Sequence, residues 1–170
     1  DYPDRIPYRT TYYNKDWGFC CTQQLVDSDK FVGPFKVFID AKHNKDGQLN
    51  WLECVKHGSK TEEILISSYC CHPSLANDNL SGIVLASFLF EFLSSLETKY
   101  TYRLVIVPET IGAISFIYNN FDNLKKNVIG GYVITHVGDE GQFTYLQTRK
   151  TNQFIDKITL FLFKSCLLIK

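Results

Sequence analysis

A histidine and an aspartate stand six residues apart in a polar loop of this chain, at His72 and Asp78. The loop follows a short apolar run over residues 64–69 that favours a β-strand, and it precedes a long apolar run over residues 83–96 that favours a helix. Imidazole nitrogens and carboxylate oxygens bind zinc, and they are also the groups that move protons in hydrolytic enzymes. The loop therefore predicts a metal site or a catalytic site between a buried strand and a buried helix.

Two further predicted strands lead into the same kind of chemistry. The strand predicted over residues 102–107 is followed by Glu109, and the one over residues 128–135 leads into His136 and Asp139. A carboxylate directly after a buried strand must be solvated, paired or functional. Because open parallel sheets bind ligands at the carboxyl ends of their strands, we expect these side chains to converge with the first loop.

This combination of groups suits a hydrolytic zinc site. Catalytic zinc accepts imidazole and carboxylate ligands and keeps one position for a water molecule, which ionises near neutral pH and attacks a polarised carbonyl. A carboxylate that is not tied to the metal can take the proton of that water as general base. At a helix N-terminus, Asp78 would stay ionised and would suit a ligand that bridges two metal ions.

Each of these residues also has an interpretation that needs no ligand. Asp78 can be the N-cap of the helix that follows it, and His72 can be a hydrogen-bonded turn histidine. Asp139 lies beside two glycines and can belong to a plain turn, while His136 can lie in the core or at the edge of the sheet. Two further histidines are expected at the surface: His43 and His57.

The elements that position these groups alternate between strands and helices. Strands are predicted over residues 63–70, 102–107 and 128–135, and helices over 79–96, 111–121 and 155–168, with residues 142–148 either a strand or an ordered loop. An Asp-Gly pair at 46–47 predicts a hairpin between residues 35–41 and 49–56. The pattern predicts an α/β fold: a mostly parallel sheet with helices on both faces and an antiparallel hairpin leading in.

Length and composition set the class of protein. The 170 residues, 45% of them hydrophobic, predict one domain, with an irregular lead-in over 1–33, the hairpin over 34–60 and the α/β core over 61–170. The chain has no methionine and ends in an apolar stretch without a cap, so we expect an incomplete domain, the central fragment of a longer protein.

Charge and cysteine usage narrow the partners and the compartment. The balance of 18 basic and 18 acidic residues argues against nucleic acid and against an anionic membrane as partners. The apolar run over residues 83–96 is too short for a membrane span. Six cysteines without a C-x-x-C pair are expected to be reduced, which favours the cytoplasm.

Several sequence blocks resemble known enzymes. The Asn-Asp-Asn-Leu-Ser-Gly segment at 77–82 is similar to the N-D-x-x-S-G segment of co-catalytic zinc aminopeptidases, and residues 108–112 resemble their E-E-x-G segment. More closely, the chain resembles a bacterial family of aminopeptidase-like proteins of unknown substrate, associated with polysaccharide biosynthesis. The matching blocks are residues 6–8, 12–20, 63–66, 71–82, 108–112 and 137–139.

The resemblance implies a fold of the zinc-aminopeptidase, phosphorylase/hydrolase-like kind and one or two zinc ions. It implies that His72, Asp78 and Asp139 bind metal and that Glu109 is the general base. An alignment on residues 137–138 instead moves the last ligand to Thr135 or His136.

The chain departs from the zinc aminopeptidases at three places. Ser74 stands where they carry an aspartate that orients the first histidine, and Thr110 stands where they carry a second glutamate that binds metal. Their last histidine ligand lies beyond this chain. We therefore expect the isolated segment to be inactive without the rest of its own parent chain.

The sequence thus predicts part of a zinc-dependent aminopeptidase-like hydrolase, in which metal-activated water attacks an amide bond of a small peptide or amide substrate. The alternative is a non-catalytic binding module on the same fold, which the replacements at Ser74 and Thr110 favour. A nucleotide-binding domain is disfavoured because the chain lacks both glycine-rich phosphate-binding motifs.

Overall fold

The structure is a computed structural model that describes residues 2–9, 14–30, 32–42, 44–72 and 75–167. The chain divides into two compact units, residues 1–45 and residues 46–170. In the first unit, the described residues contain one short helix, α1 (Gln23–Val26), whose N-cap Thr22 accepts a hydrogen bond from the Leu25 amide at 3.2 Å. This helix lies within residues 1–33, where the sequence predicts an irregular lead-in.

The second unit is built on a sheet of four strands. They are β1 (Leu52–Lys56), β2 (Glu63–Cys70), β3 (Thr101–Pro108) and β4 (Val128–Val133), in the spatial order β1-β3-β2-β4. β2 pairs in parallel with both β3 and β4, whereas β1 pairs with β3 in the antiparallel direction. The α/β class and the mostly parallel sheet predicted from the sequence are confirmed.

The predicted hairpin is wrong in its first arm. Residues 35–41 form no strand, and the second arm, β1, takes β3 as its partner. The physical reason lies in burial: β1 pairs with β3, whose Leu104, Val105 and Val107 are buried, whereas Phe35, Val37 and Phe38 are 57%, 43% and 86% exposed. A turn signal alone does not create a hairpin when one arm buries no face.

Three helices complete the unit: α2 (Gly82–Ser94), α3 (Ile111–Asn127) and α4 (Phe154–Leu167). α2 packs on one face of the sheet, where Ala86 contacts Ile66 and Leu104. α3 covers the other face, where Phe116 packs against Val105 and Val107. Neighbouring residues of β3 thus point to opposite faces, as the continuous apolar run predicts.

Residues 142–148 form an ordered segment without strand pairing. In the described part of the chain no helix is long and apolar enough to cross a membrane. The five cysteines whose side chains the structure describes are all free thiols: Cys20, Cys21, Cys54, Cys70 and Cys71.

A buried arginine joins three strands. The Arg103 guanidinium of β3 donates Nε to Glu63 Oε2 at 2.6 Å and Nη2 to Glu63 Oε1 at 2.9 Å, and it also donates Nη1 to Glu53 Oε1. Arg103 and Glu63 are 8% and 5% exposed. The hydrogen bond from Arg103 to Glu63 raises the pKa of the guanidinium, and burial opposes it. The pairing gives each buried charge a partner of opposite sign, which offsets the free-energy cost of removing both charges from water.

Replacing Arg103 with methionine is expected to lower the free energy of unfolding by about 3–5 kcal/mol, because it leaves the buried Glu63 carboxylate without a counter-charge. The measurement is urea unfolding followed by circular dichroism. The double variant Arg103→Met/Glu63→Leu should recover most of the loss, since it removes both buried charges. Equal destabilisation of the single and double variants would contradict this account.

α4 begins around a buried carboxylate. Asp156, in the first turn, accepts hydrogen bonds from the Tyr145 hydroxyl at 2.8 Å, from Thr148 N and Oγ1 at 2.9 and 2.7 Å, and from the Gln153 amide at 2.8 Å. Burial alone would raise the pKa of Asp156, but the hydrogen bonds from Thr148, Tyr145 and Gln153 outweigh it and hold the pKa at about 2. The carboxylate thus fixes the preceding loop to the helix start.

Because the pKa of Asp156 is lower in the folded state than its usual value of about 3.9, its contribution is present above about pH 4 and is lost as the pH falls towards 2. We expect the urea midpoint of the protein to fall over this window more steeply than that of Asp156→Asn. Asp122→Asn, at an exposed position of α3, should keep the profile of the unsubstituted protein. Parallel profiles for Asp156→Asn and the unsubstituted protein would refute the assignment.

Candidate active site

The order of the strands places three loops beside one crevice. β2 lies between β3 and β4; α2 connects β2 to β3 over one face of the sheet, and α3 connects β3 to β4 over the other face. The loops after the neighbouring strands β2 and β3 therefore lead to opposite faces, which favours a crevice at the carboxyl ends of these strands. The polar residues after β2, β3 and β4 are those singled out by the sequence.

The first group of donors joins the ends of β2 and β3. The Glu109 amide donates to the Cys70 carbonyl at 2.9 Å, which continues the pairing of the two strands. Just beyond it, the Cys71 thiol donates to Glu109 Oε2 at 2.7 Å. One donor atom each from Cys71, His72 and Glu109 lies within 4.8 Å of the others. Cys71 is partly buried, whereas the other two residues are exposed.

The carboxylate controls the thiol. The hydrogen bond to Glu109, and to a smaller extent burial, raise the pKa of Cys71 to about 11. Without a metal the thiol is therefore protonated at neutral pH and acts as a hydrogen-bond donor. A free thiolate nucleophile at Cys71 is excluded under these conditions.

The second group surrounds Asp78. The Tyr69 hydroxyl donates to Asp78 Oδ1 at 2.9 Å and is 2.8 Å from Thr135 Oγ1, which is in turn 2.7 Å from His136 Nδ1. His136 Nε2 lies 3.6 Å from Asp78 Oδ2. Burial raises the pKa of Tyr69, the Thr135 hydrogen bond opposes it and Asp78 adds to the rise. The phenol thus stays protonated and fixes one carboxylate oxygen, while the other faces the imidazole.

The turn that carries Asp78 is held from below by Asn79. The π-type segment Ala76–Ser81 is interrupted by non-helical backbone at Asp78 and Asn79, and the peptide bond between them is cis. The Asn79 side chain is buried, and its Nδ2 donates to Ser68 Oγ and to the Tyr69 carbonyl, both at 2.9 Å. Asp78 is therefore positioned by β2 and is not the N-cap of α2, a role that falls to Ser81.

The third group ties the loops after β2 and β4 together. Asn77 donates Nδ2 to Asp139 Oδ2 at 2.9 Å and accepts the Gly138 amide on Oδ1 at 2.8 Å. Asp139 Oδ1 also accepts the Gly141 amide at 2.7 Å, which closes a small turn. The turn interpretation of Asp139 is therefore realised, beside a link to the neighbour of Asp78.

Two residues at this edge have a strained backbone. Thr110 and His136 have φ values of 56° and 53°, in the left-handed region that residues other than glycine rarely adopt. Each follows the end of a strand that feeds the crevice. Strain of this kind persists where the surrounding structure demands it and is often found at functional sites.

The structure thus brings the predicted residues to one edge but distributes them between different contacts. His72 lies with Cys71 and Glu109, Asp78 lies with His136, and Asp139 lies against Asn77. Among the described residues, no group of three close donors includes Asp78 or Asp139. Ser74 and His43 fall outside the described residues, and His57 lies at the opposite end of the sheet beside Gly58.

Sequence reasoning named His136 as an alternative ligand but missed two other groups of this site. It treats Cys71 only as one of six reduced cysteines and Tyr69 only as part of an apolar strand. The available signal for Cys71 was its place next to His72, directly after a strand. The available signal for Tyr69 was a phenol at the next-to-last position of a strand that ends at the predicted site.

A cleft of about 400 Å³ opens beside the first group. Its walls combine the thiol and imidazole donors with apolar side chains from the turn and from α2. The lining residues are Cys70, Cys71, His72, Leu75, Ala76, Asn79, Leu80 and Ile83. This mixture of apolar wall and a few polar groups is typical of a small-molecule site.

The donor set is compatible with zinc. Thiolate, imidazole and carboxylate are the three ligand types that zinc accepts in proteins, and the first group offers one of each within 4.8 Å. Asp78 and His136 offer a second imidazole–carboxylate pair. A site that selects magnesium or calcium would instead be built from oxygen ligands.

A family model described as "Domain of unknown function (DUF4910)" matches residues 5–167. The chain belongs to this family. The family description names no activity.

A named relative and a crystal structure, both from Clostridium acetobutylicum, are similar to this DUF4910 chain. One, provisionally named a polysaccharide biosynthesis protein with an aminopeptidase-like domain, is 46% identical over 159 residues, 91% of this chain and 35% of the relative. The other is a crystal structure at 2.37 Å of a protein provisionally described as a peptidase, with a TM-score of 0.72 and 40% identity over 93% of this chain and 37% of that chain. The chain spans a little over a third of the length of both relatives, and its peptidase-like fold is confirmed.

Proposed function

We propose that this chain forms part of a zinc-dependent aminopeptidase-like hydrolase that cleaves an amide bond, with Glu109 as general base. The observation that carries the proposal is the convergence of Cys71, His72 and Glu109, with Asp78 and His136, at the carboxyl edge around β2. Imidazole and carboxylate groups gathered at the switch point of a parallel sheet match the chemistry of metal-assisted hydrolysis.

Zinc bound at this edge would supply Lewis acidity, which polarises a carbonyl group and makes a water molecule more acidic. His72, Asp78 and the groups beside them would hold it. One or two ions are compatible with the two imidazole–carboxylate groupings. Asp139 is retained as a candidate ligand in the proposal, although its Oδ2 here accepts from Asn77.

The residues of the chain have distinct roles in the proposal. Glu109 accepts the proton of the attacking water and passes it to the leaving amine. Tyr69 donates to Asp78 and keeps its carboxylate oriented, while Asn79 fixes the turn from below. The apolar side chains that line the cleft, Leu75 among them, would contact the substrate beside the reacting groups.

The substrate class follows from the size and charge of the site. A cleft of about 400 Å³ suits a small peptide or an amide on a sugar precursor, and the name of the first relative points to the second of these. The balanced charge of the chain supports neither nucleic acid nor a membrane surface as partner. The five free thiols support a reducing compartment, which we propose to be the cytoplasm.

A non-catalytic binding module is the second candidate, because Thr110 offers no carboxylate where related enzymes bind metal. The two candidates are separated by zinc analysis and an amide-hydrolysis assay on the protein at its full natural length. One or two zinc ions per chain, with hydrolysis lost to a chelator and restored by zinc, support the hydrolase. A protein that takes up no metal after zinc supplementation would leave the binding module.

A further inference from the structure

The Cys71 thiol occupies a place that neither the motif resemblance nor the proposed mechanism uses. Its Sγ is 2.7 Å from Glu109 Oε2 and lies within 4.8 Å of a ring nitrogen of His72. Cys70 is the last residue of β2, so the backbone leaves the strand at this point. Two consecutive side chains after the strand are thereby free to face one centre, which strict strand alternation would prevent.

We propose that Cys71 is a metal ligand, a thiolate that binds zinc together with His72. The inference deepens the proposed function, on which it rests for the presence of the metal. It also accounts for Thr110: a sulfur ligand from β2 takes the place of the carboxylate that the adjoining position after β3 lacks. The site would then be a Cys/His centre with Glu109 beside it.

The geometry accommodates the ion with a small adjustment. Zinc binds sulfur at about 2.3 Å and oxygen or nitrogen at about 2.0–2.2 Å, so tetrahedral ligands of one ion lie roughly 3.5 Å apart. The three donors already lie within 4.8 Å of one another. Glu109 is not a ligand in this arrangement, and its Oε2, which is 2.7 Å from the Cys71 sulfur, loses that hydrogen bond when the thiol proton leaves. Glu109 can then approach water or a bound amide.

Metal loading has a defined proton balance. The thiol proton, which Glu109 accepts in a hydrogen bond, leaves to solvent when the sulfur–zinc bond forms. The thiolate then contributes one negative charge to the site. No oxidant or reductant takes part. A soft thiolate ligand also biases the site towards zinc and against manganese or magnesium.

The test is zinc X-ray absorption spectroscopy on the protein at its full natural length, with Cys71→Ser and the matched control Cys70→Ser. The unsubstituted protein and Cys70→Ser should show one sulfur scatterer at about 2.3 Å, and Cys71→Ser should show nitrogen and oxygen alone. With cobalt in place of zinc, the sulfur-to-metal charge-transfer absorption should be present in the first two proteins and absent from the third. Zinc affinity of Cys71→Ser should fall by more than about 10-fold.

A third variant, Cys71→Asp, keeps a metal-binding group and guards against simple misfolding. It should retain zinc and lose the sulfur scatterer. A zinc shell without sulfur in the unsubstituted protein overturns the inference and leaves the hydrolase standing if amides are still cleaved. Sulfur-bound zinc in a protein that cleaves no amide upholds the inference and removes the proposed function, and a protein without zinc overturns both.

Discussion

Glu109→Gln, made in the protein at its full natural length, is expected to lower kcat for amide hydrolysis by about 10²–10⁴-fold. Glutamine is nearly the same size as glutamate, but it cannot take a proton from water. Zinc content should stay at the level of the unsubstituted protein, because His72 and Cys71 remain. The measurements are steady-state kinetics and elemental analysis on the same sample.

The matched control is Glu140→Gln, an exposed carboxylate in the loop after β4 at the same edge of the sheet. It should keep kcat within a factor of about two of the unsubstituted enzyme, since general-base loss accounts for the larger effect. Loss of zinc from Glu109→Gln would instead make this carboxylate a ligand. Full activity in Glu109→Gln would remove the general base from the mechanism.

Asp78→Ala should reduce zinc affinity by more than about 100-fold, beyond the 10–100-fold range that loss of an outer hydrogen bond produces. Asp78 is the carboxylate at the centre of the second group, with Tyr69 on one oxygen and His136 near the other. The expected result is a chain that folds, as judged by circular dichroism, and that loses at least one zinc ion at equilibrium with a competing chelator.

Tyr69→Phe gives the graded comparison. It removes the hydroxyl that orients Asp78 but leaves the carboxylate, so zinc affinity should fall within the 10–100-fold range. Asp122→Ala, at an exposed position of α3, should leave affinity unchanged. Equal zinc affinity in Asp78→Ala and Asp122→Ala would show that Asp78 is structural and that the metal depends on other donors.

The core strands were predictable because their apolar runs are continuous. β2 matches its predicted bounds, and β3 extends its prediction by one residue at each end. A strand covered on both faces is mostly apolar along its length, so its local sequence carries the signal. The start of α3 was predicted correctly, but the predicted helix ended at residue 121, whereas α3 continues to Asn127. The prediction stopped short because the last turns are polar and exposed and lack an apolar period.

The pairing of strands was beyond local sequence. β1 pairs with β3 and not with residues 35–41, which precede the Asp-Gly turn, because burial against an apolar strand decides pairing more strongly than a turn sequence. Tertiary contacts also decided where α2 begins. Asp78 has the chemistry of an N-cap, but the Tyr69 hydroxyl of β2 donates to its carboxylate, and the neighbouring Asn79 side chain donates to the Tyr69 carbonyl. These hydrogen bonds hold Asp78 outside the helix.

The sequence by itself determined the α/β class, and it pointed to the carboxyl edge of the sheet with His72, Asp78 and Glu109 as candidates for chemistry there. Only the tertiary structure decided which side chains these candidates contact. Parallel pairing of β2 with β3 sets Cys71 against Glu109, and the left-handed turn after β4 brings His136 to Asp78. Side chains 38 and 58 residues apart in sequence meet only when strand register is set, and register depends on burial over the whole sheet.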